Sequence, residues 1–82
     1  MSSFLSLDRM RPGDRAVLIK ISESLPSSRR LKELGFLPGA HLSCVLTKKH
    51  GETSAYDIKG TTIALRREDA SHILVSPIQK GA

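Results

Sequence analysis

The sequence predicts an all-β protein, a small barrel of about five short strands with one short helix between its first two main strands. Runs rich in β-branched residues alternate with glycine and proline turns along the 82 residues, which is typical of small barrels. Within the segment 31–39 (LKELGFLPG), a short helix ends and a turn follows that leads into a strand. A helix held so close to a strand favours a barrel with a helical plug over an α/β enzyme.

The first elements lie before that segment. Residues 7–10 form a short first element, which the turn at 12–14 closes. Residues 16–21 form the first main strand, because β-branched side chains are enriched there. Its alternation puts Val17, Ile19 and Ile21 on one face and Leu18 on the other.

A short helix is predicted over residues 29–34. Ser27 or Ser28 can cap it by accepting a hydrogen bond from a free backbone N–H. Leu31 and Leu34 share one face because they are three residues apart. Gly35 follows at the C′ position, where the backbone turns left-handed and a Cβ would clash.

Turn residues separate the remaining strands. Pro38 and Gly39 form a turn before a strand at 40–47, whose inward face carries Leu42, Cys44 and Leu46. Gly51, in a hairpin loop at 48–52, is predicted at positive φ, and Gly60 marks a second tight reversal. One helical turn follows at 67–72. Tyr56, Ile58, Ile63 and Leu65 are also expected to point inward. Ile73 and Val75, with Ile78 as a further candidate, form a closing strand, and Pro77 confines the end of that strand to an edge.

Size and charge limit the function. One domain over 1–82 is expected, with its core at about 7–78 and frayed ends at 1–6 and 79–82. A chain of 82 residues has a thin core, which leaves little room for a deep substrate pocket. The net charge of +5 admits nucleic acid, an anionic membrane or an acidic protein patch as partner, and charge alone cannot choose among them.

Catalytic patterns are missing from the sequence. No Ser-His-Asp order, paired carboxylates or glycine-rich phosphate loop can be assembled, so no enzyme is predicted. Cys44 is the single cysteine; it excludes an internal disulfide and is expected to be a buried, inert thiol. The sequence shows neither a signal peptide nor a membrane span, so a soluble, cytoplasmic protein is expected.

Residues 30–39 and 65–75, at their mutual spacing, resemble the FeoA family. The resemblance covers roughly 7–75 and implies a small cytoplasmic accessory protein of bacterial ferrous iron uptake with an SH3-like barrel. One departure is visible, since the family often has Gly-Asp-Pro where this chain has Gly51-Glu52-Thr53.

The resemblance also implies a partner. A FeoA-like protein would be a non-enzymatic adaptor that binds the cytoplasmic part of FeoB, a membrane transporter with a GTPase domain. Of Phe36 and Leu37, one side chain is expected to enter the core and the other to face a partner. Arg29, Arg30, Leu37 and Arg66 are the candidate interface residues. An alternative is an SH3-like module that docks on an iron-dependent regulator.

The sequence gives little support for a metal site or for nucleic-acid binding. The three histidines lie far apart without ligand spacing, so no dedicated metal site and no required cofactor are predicted. His50 and Glu52 form the best pair for weak surface binding of iron or zinc.

A small basic nucleic-acid-binding barrel is a further alternative, but Phe36 and Tyr56 are expected in the core, which removes the stacking platform. An SH3-type proline-rich groove lacks aromatic residues for the same reason.

Overall fold

The computed structural model describes residues 4–78 and contains one antiparallel sheet of six strands in the order β1-β6-β2-β3-β4-β5. The strands are β1 (Leu5–Ser6), β2 (Arg15–Ile21), β3 (His41–Lys48), β4 (Thr53–Ile58), β5 (Thr61–Arg66) and β6 (Ile73–Ile78). Helix α1 (Ser28–Glu33) lies between β2 and β3, and the short helix α2 (Arg67–Ala70) lies between β5 and β6. Single 3-10 turns span Leu7–Arg9 and Lys49–Gly51. The predicted all-β fold, with its helix between the first two main strands, is confirmed.

The N-terminal end differs from the prediction. Leu5 and Ser6, expected in a frayed end, pair with Val75 and Leu74 of β6. This pairing adds a short strand to the sheet, which is why the sheet has six strands rather than about five. Residues 1–3 and 79–82, also predicted to be frayed, lie outside the described residues.

A β-bulge in β2 corrects the predicted face of that strand. Leu18 pairs with Val75 and Lys20 with Leu74, so Ile19 is an extra residue opposite β6. Leu18 is therefore fully buried, and Ile21 is buried three positions later. The prediction that Val17, Ile19 and Ile21 share one face was wrong, because it assumed an uninterrupted period of two.

A second bulge corrects the inward face of β3. Cys44 pairs with Tyr56 and Leu46 with Ala55, so Val45 is extra. Leu42 and Cys44 are buried as predicted, but Leu46 is 44% exposed. Leu46 was wrongly placed in the core, because the extra residue turns the strand before it reaches that position.

The core is held by a few large side chains inside the sheet. Phe36, Tyr56, Leu7 and Leu18 are each at most 1% exposed. The Tyr56 hydroxyl donates to the Leu7 carbonyl oxygen at 3.3 Å, which satisfies a polar group that would otherwise be costly to bury. This bond links β4 to the 3-10 turn at Leu7–Arg9.

Candidate functional site: the helix and turn surface

Helix α1 ends in a Schellman motif, which fixes the direction of the chain beyond it. The Phe36 N–H donates to the Leu31 carbonyl at 2.9 Å, and the Gly35 N–H donates to the Lys32 carbonyl at 3.1 Å. Gly35 has φ of +109°, which glycine adopts without the strain a Cβ would cause. At the other end, Ser27 occupies the N-cap, but its side chain makes no capping hydrogen bond, so the predicted serine cap is wrong.

The two apolar residues after Gly35 divide between core and surface. Phe36 is 0% exposed, whereas Leu37 is 44% exposed. This is the division expected from the sequence, which had not specified which residue is which. Phe36 holds the motif against the core, and Leu37 is presented to solvent.

The turn after Leu37 is bonded to the sheet. The Ala40 N–H donates to the Leu37 carbonyl at 2.9 Å, which closes the turn around Pro38 and Gly39. The Gly39 N–H donates to the Leu18 carbonyl, and the Leu18 N–H donates to the Ala40 carbonyl, both at 2.8 Å. The exposed Leu37 therefore lies on backbone that is hydrogen-bonded on both sides, a rigid position for an apolar contact.

Helix α1 and strand β5 enclose a groove of about 490 Å³. Arg30, Leu31 and Leu34 line it from α1, Thr61 to Leu65 line it from β5, and Asp69 lies within it. Leu34 is 40% exposed, so the helical face predicted for Leu31 and Leu34 is only half buried. The groove could not be recognised from the sequence, because α1 and β5 are far apart along the chain.

The four candidate interface residues do not form one pocket. Arg30 lines the groove, whereas Arg29 lines a neighbouring depression on α1. Arg66, at the end of β5, lines a polar depression of about 420 Å³ together with Lys49 and Arg67. The three arginines and Leu37 are all exposed, so each is available to a partner, but a surface larger than one pocket is needed to contact them all.

The hairpin after β3 carries the candidate metal pair. Lys49, His50 and Gly51 all have positive φ, and the Arg67 guanidinium donates to the His50 carbonyl at 3.5 Å. His50 and Glu52 are exposed, and Glu52 lines a depression that holds both cationic residues and a second acidic residue, Glu68. Residues 4–78 contain no group of three or more potential His, Cys, Asp or Glu ligands.

Cys44 is a buried thiol. Burial raises the pKa of Cys44, while the Thr47 hydroxyl, 4.0 Å from its Sγ, acts in the opposite direction. Thr47 Oγ1 in turn lies 3.1 Å from Ser54 Oγ. A thiol that is buried and protonated at neutral pH is a poor nucleophile.

Residues 5–77 match the family model of the FeoA domain. The chain belongs to the FeoA family. Over 78 residues it is 30% identical to the Fe(2+) transport protein A/Fe(2+) transporter FeoB fusion protein of Porphyromonas gingivalis (strain ATCC BAA-308 / W83). The match covers 95% of this chain but 9% of that fusion protein. The FeoA-like chain is therefore similar to a small part of a much longer polypeptide that also carries the transporter.

Solved structures agree on the fold. The zinc complex of Stenotrophomonas maltophilia FeoA, an SH3 domain protein, is 27% identical to this chain, with a TM-score of 0.76 over 87% of this chain and 88% of that one. A manganese-dependent transcriptional repressor matches with a TM-score of 0.81 at 21% identity, over 92% of this chain and 41% of that one. The FeoA fold is thus SH3-like, and the repressor shares that fold alone. No helix within residues 4–78 is long and apolar enough to cross a membrane.

Proposed function

We propose that this protein is a non-catalytic accessory protein of ferrous iron uptake that binds the cytoplasmic part of a FeoB-type transporter. The observation that carries the proposal is the fusion relative, in which a FeoA protein and a FeoB transporter form one chain. Covalent linkage holds two domains at a high effective concentration, an arrangement suited to domains that act together. Where a FeoA domain is not fused to its transporter, binding affinity would have to replace that linkage.

The helix and turn surface supplies features suited to such binding. Leu37 is an exposed apolar side chain on hydrogen-bonded backbone, and an apolar anchor inside a polar rim is the usual form of an interface hot spot. Arg29 and Arg30 provide that rim on α1, and Arg66 extends the basic surface along β5. Since the protein carries a net charge of +5, an acidic patch on the partner would steer association.

Calorimetry with the purified cytoplasmic portion of FeoB tests the proposal, in the presence of GDP and of a GTP analogue. Leu37→Asp should weaken binding at least tenfold, because it places a charge at the proposed anchor. Val45→Asp is the matched control: Val45 is 52% exposed, close to the 44% of Leu37, and lies in the β3 bulge. Equal loss of binding in both variants would show a general effect of the added charge and would refute the assignment of Leu37 as the anchor.

The nucleotide dependence decides what kind of partner the protein is. Binding that changes between GDP and the GTP analogue would make it a regulator coupled to the switch state of the GTPase domain. Binding that is equal in both would make it an assembly factor. Absence of binding with either nucleotide would refute the proposed contact with the cytoplasmic portion.

The nucleic-acid alternative has less support. Phe36 and Tyr56 are at most 1% exposed, which leaves Phe4 as the single exposed aromatic side chain among residues 4–78. Sequence-tolerant nucleic-acid binding requires stacking platforms beside a basic groove, and only the basic charge is present. A gel shift that strengthens at low salt would favour this alternative over the transporter.

A further inference from the structure

Strand β5 is an edge strand of the sheet. The geometry of the β4–β5 hairpin determines which of its residues are hydrogen-bonded to β4. Ile58 and Thr61 face each other across a two-residue loop in which Lys59 and Gly60 have φ of 52° and 80°. In such a type I′ hairpin the residues that flank the loop form a hydrogen-bonded pair, and hydrogen-bonded and non-bonded pairs then alternate along the strands. Ile63 and Leu65 are therefore bonded to β4 as well.

The residues between them point their backbone groups the other way. The N–H and C=O groups of Thr62 and Ala64 point away from β4 toward the open edge of the sheet, and among residues 4–78 they have no backbone hydrogen-bond partner. Natural proteins usually protect such an edge with proline, an inward-pointing charge or a bulge. Strand β5, with the sequence TTIALR, has none of these before Arg66.

This edge opens into the groove beside α1. Leu34, which follows α1, is 40% exposed and offers the groove an open apolar side chain, whereas Leu31 is only 3% exposed. Thr62 and Ala64 line the groove from β5. A groove between a strand edge and a helix can hold an extended peptide, which adds a strand to the sheet and places alternate side chains against the helix. An extended chain repeats its side-chain direction every second residue, as β5 does.

Charge indicates the chemistry of the occupant. Arg30 lies in the groove and Arg66 at the end of β5, whereas Asp69 is half-buried at the same groove. The protein as a whole carries a charge of +5, so pairing of two copies through this edge would bring like charges together. Within the groove Arg30 and Asp69 balance in charge, so the net charge of the protein is what favours an acidic segment over a second copy.

We propose that the edge of β5, between Thr62 and Ala64, binds an extended acidic segment of a partner protein by strand addition in the groove beside α1. The inference deepens the proposed function and rests on it for the identity of the partner. Binding by strand addition joins backbone to backbone, so it requires the amides of Thr62 and Ala64 and leaves those of Ile63 and Leu65 on β4. The surface around Leu37 would then be a second contact of the same partner.

Amide hydrogen exchange measured by NMR on the labelled protein tests the inference. The first ligand is a capped peptide of alternating glutamate and valine, with a lysine-valine peptide of equal length as its control; the second is the cytoplasmic portion of FeoB. Exchange at Thr62 and Ala64 should slow at least tenfold with the acidic peptide. Exchange at Ile63 and Leu65, already bonded to β4, should change little.

A pair of variants at Ala64 separates backbone from side chain. Ala64→Pro removes one outward N–H, which an edge strand tolerates because β4 does not use it, and should weaken peptide binding at least tenfold. Ala64→Val keeps the N–H and should bind like the parent. If Ala64→Pro does not fold, the exchange pattern in the parent protein decides alone.

The outcomes separate the inference from the proposed function. If FeoB binds while Thr62 and Ala64 remain unprotected, strand addition is overturned and the proposed function stands. If the acidic peptide protects both amides but FeoB does not bind, the groove is a strand-addition site and the proposed partner is wrong. If the acidic peptide gives no protection at millimolar concentration, or the lysine peptide protects equally, the inference fails.

Discussion

Replacing Phe36 and Leu37 in turn by alanine tests whether the two adjacent apolar residues divide between core and surface. Phe36 is 0% exposed and follows the glycine of the Schellman motif. Leu37 is 44% exposed and begins the turn closed by Ala40. Both substitutions remove a large apolar side chain from one short segment, so a difference between them reports burial rather than local sequence.

The expected magnitudes differ severalfold. Truncating a fully buried phenylalanine costs about 3–5 kcal/mol, because apolar surface is lost from the core and a cavity remains. A domain of this size has a free energy of unfolding of about 4–12 kcal/mol, from about 0.05–0.15 kcal/mol per residue. Phe36→Ala should therefore remove a quarter or more of the stability. Leu37→Ala should cost about 1 kcal/mol or less, since much of that side chain is already in water.

Urea unfolding followed by far-ultraviolet circular dichroism measures both values, because the protein has no tryptophan and offers little fluorescence signal. The dependence of the unfolding free energy on urea should be equal in parent and variants, so that the midpoint reports stability alone. A cost below about 1 kcal/mol for Phe36→Ala, with that dependence unchanged, would refute the placement of Phe36 in the core. A cost for Leu37→Ala equal to that for Phe36→Ala would refute its assignment to the surface.

Alkaline pH should destabilise the protein, because burial raises the pKa of Tyr56 from 10.0 to about 12. The folded state then holds a proton that the unfolded state releases, so stability falls from about pH 10 to about 12, and tyrosinate absorbance should rise together with unfolding. Gly35→Ala should cost about 1–2 kcal/mol in urea unfolding, because Gly35 has φ of +109°; an unchanged midpoint would contradict this. Calorimetry should show that zinc binds weakly to the parent protein and more weakly still to the His50→Ala variant. Unchanged affinity in that variant would refute His50 and Glu52 as the binding pair.

The sequence predicted the helix and its C-terminal end well because their signals are local. The helix was expected at 29–34 and spans Ser28–Glu33, and the following strand was expected at 40–47 and spans His41–Lys48. Gly35 and the leucine spacing act within one or two helical turns. The serine cap failed because Ser27, at the N-cap, has φ of −90° and ψ of 8°, which is outside the extended region that capping residues usually adopt.

The two bulges could not be predicted from the strands that contain them. Ile19 is extra only relative to β6, and Val45 only relative to β4. Each strand alone shows an acceptable alternation, so the sequence placed Leu46 in the core. The register of the partner strand decides which residue is left unpaired, and that information lies elsewhere in the chain.

The same limit applies to the candidate site. Exposed arginines can be chosen from the sequence, but the groove exists only where α1 and the edge of β5 meet. Leu34 was expected to share a helical face with Leu31, and the structure buries Leu31 but leaves Leu34 40% exposed on the groove. Contacts between distant segments therefore carry the part of the site that local patterns cannot predict.

The Schellman motif couples the stability of the fold to the proposed binding surface. By reversing the chain at Gly35, it buries Leu31 and Phe36 and leaves Leu34 and Leu37 at 40% and 44% exposure. The thin core of so small a domain cannot enclose every large apolar side chain, and the motif determines that Leu34 and Leu37 are among those that remain outside. Leu34 lines the groove beside β5 and Leu37 lies on the turn bonded to β2. A partner that contacts both side chains would depend on the geometry of this one helix end. A substitution of Gly35 that strains the backbone should therefore weaken binding even in molecules that remain folded.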